Sequence, residues 1–211
     1  MPDLRLSRHR QPLGRFLLAL VMLLLAAGAA SAHPHVFIDY TATILDDGDK
    51  VTGVRIAWTF DEMYSASLFH DYTSRPQGPL GPADIEQLRT GAFQDTADLH
   101  FFTDIWLNGK LLDIKSVKDF DASYKDHRMT YRFTVPLDLA RPKEGDALDF
   151  RVAAFDNEFY IDFELAKGEA IKVEHADRIK LACAEKKETR NTSVMGPVET
   201  KLVSCRFGKA A

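Results

Sequence analysis

Val36-Phe-Ile-Asp-Tyr40 and Val54-Arg-Ile-Ala-Trp-Thr-Phe-Asp61 are the stretches on which the fold turns. In the first, Val36, Ile38 and Tyr40 point one way, and His35, Phe37 and Asp39 the other. In the second, Val54, Ile56, Trp58 and Phe60 oppose Arg55, Ala57, Thr59 and Asp61. Successive side chains on a strand face opposite sides, so a period of two means a strand with one buried face. Asp46-Asp47-Gly48-Asp49 between them is a turn signal, and the pair reads as a β-hairpin.

The same pattern returns further along the chain. Residues 99–107 and 110–117 flank Asn108-Gly109, a dipeptide suited to the positive φ angles of a tight hairpin turn. Met129, Tyr131, Phe133 and Val135 alternate with polar residues, as do Leu148, Phe150, Val152 and Ala154, and then Phe159, Ile161, Phe163 and Leu165. Asp156-Asn157-Glu158 is the turn between the last two runs. Weaker strands are expected at 171–173, 179–182 and 201–207, with a polar loop joining the last two. Residues 62–72 and 83–98 read as helices, separated by the Pro- and Gly-rich segment 73–82. Many strands and one helical insertion predict an antiparallel β-sandwich; an α+β fold with helices on one face of an antiparallel sheet is the competing architecture.

Ahead of this domain, Arg5, Arg8, Arg10 and Arg15 precede the apolar run 16–30 and the small residues Ala30-Ser31-Ala32. That is the three-part pattern of a cleaved signal peptide, predicted to span 1–32. The working protein is then a single exported, periplasmic domain, 33–211, with no membrane span. The full chain has 27 Lys and Arg against 31 Asp and Glu, a net charge of −4, and loss of the arginine-rich leader makes the remainder more acidic. An acidic domain without a basic stripe argues against nucleic acid as a partner. Cys183 and Cys205 are the two cysteines, expected to pair in an oxidising compartment.

The chemistry-bearing residues gather at the predicted mature N-terminus, His33-Pro34-His35. Cleavage creates an amine beside two imidazoles, and all three donate to a divalent metal when neutral. Pro34 has no amide proton, which excludes the square-planar copper or nickel geometry that needs a deprotonated second amide. What stays open is chelation by the His33 amine and ring, with His35 adding a second ring. Asp61 and Asp156 are the candidates to complete the shell, although Asp61 equally reads as a helix cap and Asp156 as a turn residue. Asp39 shares the outward face of its strand with His35, and His100, expected to begin a strand, is the reserve ligand. There is no nucleophile elbow, phosphate-binding glycine loop, His-Glu-x-x-His or Cys-x-x-Cys, so no catalytic residue is assigned.

His33-Pro-His-Val-Phe-Ile-Asp39 and Trp58-Thr-Phe-Asp-Glu62, with Phe101-Phe-Thr-Asp-Ile-Trp-Leu-Asn-Gly-Lys110 and Phe155-Asp-Asn-Glu-Phe-Tyr-Ile-Asp-Phe163, resemble motifs of a bacterial periplasmic family of unknown function. That family is commonly labelled a component of an uncharacterised ABC-type transport system, and its members are sometimes fused to, or encoded beside, nickel/cobalt-type permeases. Asn157 stands where the family pattern has proline, and the resemblance ends near Leu165. It implies a non-enzymatic periplasmic accessory for divalent transition-metal transport or homeostasis, with a membrane metal permease as partner. Nickel, cobalt, zinc and copper all suit imidazole donors. Two other functions fit the sequence: an adaptor that docks to a permease without binding metal, and a copper oxidoreductase using an amino-terminal histidine brace.

Overall fold

A computed structural model describes residues 35–74, 78–140, 149–168, 170–175 and 181–207. The chain separates at Ala32/His33 into two units, and every described residue belongs to the second. Alternation builds β1 (Val36–Asp46) and β2 (Lys50–Phe60), paired antiparallel with Tyr40 opposite Trp58 and Ile38 opposite Phe60. Cross-strand partners share a face, so the pairing concentrates the apolar residues on one side, where all four are almost fully buried. Each such side chain contributes about 1.5–3 kcal/mol by leaving water.

The two strands are the centre of a mixed sheet. β5 (Lys118–Lys125), β6 (Arg128–Ala140), β2, β1 and β8 (Ile161–Leu165) follow in that order, and β9 (Ile171–Val173) also lies beside β1. β8 and β9 run parallel to β1, while the other pairs are antiparallel. The second sheet is antiparallel throughout, in the order β10 (Leu181–Thr192), β11 (Gly196–Phe207), β7 (Asp149–Ala154), β3 (Thr103–Leu107) and β4 (Lys110–Leu111). Inner faces of both sheets share one core, giving a β-sandwich. Trp58 lies at its middle, with the rings of Phe93, Phe102, Phe133 and Phe163 at centroid distances of 4.8 to 6.2 Å. Tyr40 links the sheets directly by donating its hydroxyl proton to the Lys201 carbonyl at 2.7 Å. Burial raises the pKa of that phenol, which keeps the proton in place.

Turn chemistry behaves as the residues dictate at Asn108-Gly109, where φ is 50° and 78°, as a tight hairpin requires. Gly53 marks a bulge between β2 and β6, where a β-carbon would lie 2.9 Å from the Val135 carbonyl oxygen. The disulfide Cys183–Cys205 forms across β10 and β11.

Four local expectations change. The strand expected over 110–117 is only the two residues of β4, and the chain leaves the sheet after Leu111. The segment between 182 and 201, expected as a polar loop, forms most of the β10–β11 hairpin. Its charged side chains are surface-facing partners such as Lys187 and Glu199, which bond at 2.7 Å. Helix α1 (Glu62–Tyr72) forms as expected, but α2 (Pro82–Leu88) stops ten residues short of Asp98. The chain widens there into a π-type turn, Arg89–Phe93, because Gly91 passes beneath Tyr72, whose hydroxyl donates to the Gly91 carbonyl at 2.8 Å. The strand expected from residue 99 begins only at Thr103, because His100, Phe101 and Phe102 have φ of 52°, 53° and 45°. This left-handed run drives Phe101 into the core and leaves Leu99 and His100 outside.

Candidate functional site

Three elements meet at one end of the first sheet: β1 begins, β2 ends and β8 begins. His35 lies one residue ahead of β1. Its amide and that of Val36 both donate to the Tyr160 carbonyl, at 2.9 and 3.2 Å, and its exposed ring lies 4.8 Å from the Tyr160 ring. Of the histidines proposed as ligands, His33 lies outside the described residues.

Asp61 and Asp156 reach the same end, each through an intervening residue. Asp61 is the N-cap of α1, accepting from the Tyr64 amide at 2.8 Å with one oxygen and from the Phe37 amide at 3.0 Å with the other. Asp156 is buried and accepts three amides, from Glu158 at 3.0 Å, Tyr160 at 2.9 Å and Ile161 at 3.0 Å. One shapes the β2–α1 junction and the other the entry to β8. Both carboxylates therefore brace the backbone on either side of His35, and each oxygen already accepts at least one hydrogen bond. Among the described residues, no three of His, Cys, Asp and Glu lie close enough to hold a metal ion. The donor types suit a transition metal, but a complete set needs His33.

Asp39 takes a different role. Its carboxylate accepts from Arg128 at 2.8 Å, and the same guanidinium donates to the carbonyls of Phe60 at 2.7 Å and Thr59 at 3.0 Å. Arg128 was on the outward face of its strand in the sequence pattern, but nothing in its spacing showed that it would tie β6 to β1. Beside it, Asp162 and Glu164 on β8 border a small depression with Asp39. Burial, and then the nearby Glu164 charge, raise the Asp162 pKa above its ordinary value.

A larger cleft, of about 590 Å³, opens between the His100 turn and the Asp156–Tyr160 loop. Tyr160 therefore faces both His35 and this cleft. Arg190 forms part of its lining, bonded to Asp104 at 2.6 Å and lying 3.7 Å over the Phe155 ring. His100 is at the opposite wall, with Nε2 3.8 Å from Asp113. It is a turn residue rather than the start of a strand, which puts it on the cleft instead of a sheet face.

The model of the family described as Protein of unknown function (DUF1007) matches residues 18–197. The chain belongs to this family. For a DUF1007 chain, the match runs past the motifs that end near Leu165, through β10 and into β11. An uncharacterised protein of Haemophilus influenzae is 25% identical over 142 residues, covering 66% of this chain and 66% of that protein. An uncharacterised 15.5 kDa protein in the trpE 3' region of Spirochaeta aurantia is 28% identical over 107 residues, covering 51% of this chain and 74% of its own length. Among the described residues of this DUF1007 member, no helix is long and apolar enough to cross a membrane.

Proposed function

We propose that this protein is an exported, periplasmic, non-enzymatic accessory for divalent transition-metal transport or homeostasis. The observation that carries the reading is the placement of His35, an exposed imidazole whose backbone is held on the Tyr160 carbonyl at the sheet end that Asp61 and Asp156 brace through Phe37 and Tyr160. The His33 amine and ring, with the His35 ring, would hold the ion, and the second lone pair of an Asp61 or Asp156 oxygen would complete its shell. Neutral imidazoles favour nickel, cobalt, zinc or copper over harder cations. The disulfide supports an oxidising compartment. A membrane metal permease is the proposed partner.

Calorimetric titration of protein whose N-terminus is verified as His33 tests the reading. One equivalent of nickel, cobalt, zinc or copper is expected to bind, and His35→Ala to weaken that binding by at least about tenfold. Failure of all four metals to bind at micromolar concentration would remove the proposal.

A further inference from the structure

We infer that the cleft beside Tyr160 is a docking site for an extended peptide segment of a partner protein that alternates apolar and basic side chains. Three of the large apolar residues left exposed by the fold, Leu99, Leu111 and Tyr160, at 56%, 46% and 47% exposure, stand around this one opening. Exposed apolar residues scattered singly need no explanation, whereas a group around a concave opening marks a contact surface.

The backbone on both walls is held in an unfavourable conformation. His100, Phe101 and Phe102 are left-handed on one side and Phe159 on the other, a conformation that a β-carbon disfavours. Such strain persists where surrounding structure enforces it, and it is concentrated at binding sites. Here the walls are tied together by the Phe155 amide, which donates to the Phe102 carbonyl at 2.9 Å. The tip of the β10–β11 hairpin holds the second wall, with the Ser193 amide and hydroxyl on the Asn157 carbonyl at 2.8 and 3.1 Å. A preformed opening of this kind costs little ordering on binding.

Charge defines the occupant. Arg190 is neutralised by Asp104, which leaves the exposed Asp98 and Glu158 to give the lining a negative balance. Lysine or arginine side chains satisfy those carboxylates while leucine-like side chains cover the apolar rim. Asp98, Glu158, Leu99 and Leu111 are none of the residues proposed to hold the metal, so this docking role stands apart from the function proposed above.

The test is fluorescence anisotropy with a tagged hexapeptide alternating lysine and leucine, against its glutamate–leucine counterpart, in buffer containing EDTA. Saturable binding of the lysine peptide is expected, weakened at least about fivefold by ~0.5 M salt, with no binding of the glutamate peptide. Asp98→Lys with Glu158→Lys should weaken it at least about tenfold, and Leu99→Ser about fivefold. Asp138→Lys with Glu185→Lys makes the same change in charge at exposed positions away from the cleft, and should leave cleft binding within about twofold. Circular dichroism confirms folding of each variant. Equal binding of both peptides, an equal effect of the two charge-reversal pairs, or no saturation up to about 1 mM peptide would overturn the inference.

Discussion

Phe37 and Asp61 clasp each other across the β1–β2 pair: the Phe37 amide donates to Asp61 Oδ2 at 3.0 Å, and the Asp61 amide donates to the Phe37 carbonyl at 2.9 Å. The other carboxylate oxygen caps α1 through Tyr64. Asp61→Ala removes both side-chain bonds and should cost about 2 kcal/mol. Asp61→Asn, which keeps an acceptor, should cost less than half of that. Urea denaturation in EDTA measures both variants, and a loss seen only when metal is present would contradict the capping role.

Asp156 holds more of the backbone. Asp156→Ala leaves three amides without their acceptor, two of them next to the carbonyl that receives His35 and Val36. We expect a loss of about 2–4 kcal/mol. Hydrogen exchange should quicken at Tyr160, Ile161 and Val36 before it does in β2. Unchanged exchange at Val36 would show that the β1 start is held by other contacts.

Asp162 should make the protein less stable as pH rises through the carboxylate range. Its pKa is raised from the ordinary 3.8 by burial and by Glu164, so the folded state binds the proton more tightly than the unfolded chain. Stability from this group is thus present below the unfolded pKa and is lost as pH climbs through the folded one. Asp162→Asn should raise the melting temperature at pH 7 and reduce the advantage near pH 4. A variant that melts lower than the parent at pH 7 would contradict this.

The Cys183–Cys205 bridge closes a separation of 22 residues. Replacing both cysteines by alanine should lower stability by about 3 kcal/mol, by widening the unfolded ensemble. Because β10 contributes few buried side chains apart from Leu181 and Thr192, its outer half should lose exchange protection first. Equal protection along the hairpin with and without the bridge would refute that.

Local rules made a good part of this fold legible. Period-two alternation placed β1 and β2, the φ demands of Asn108-Gly109 placed the β3–β4 turn, and helix α1 formed over the expected residues 62–72. Asp61 and Asp156 each carried a structural reading beside the metal reading, and the structure shows the backbone half of both. The β10 ribbon was not legible because its charged residues leave no apolar stripe, and its pairing with β11 supplies the order. The left-handed run at His100 was invisible for a related reason. Of Leu-His-Phe-Phe only the histidine is at home at positive φ, and the run of three comes with the seating of Phe101 among Phe93 and Phe133.

Legible from the residues alone were the hairpin strands and their inward faces, the two cysteines that bond, and the chemistry available around His33 and His35. The strands and the His33–His35 donors rest on neighbours along the chain, whose geometry is set by a few dihedral angles, and the disulfide on there being two cysteines. Packing across the whole domain sets β8 and β9 parallel to β1, brings Arg128 to Asp39, and lets Tyr160 join the His35 corner to an acidic, apolar-rimmed cleft. Those relationships span long separations in sequence, such as the 89 residues between Asp39 and Arg128, and they form when burial of a shared core brings the segments together.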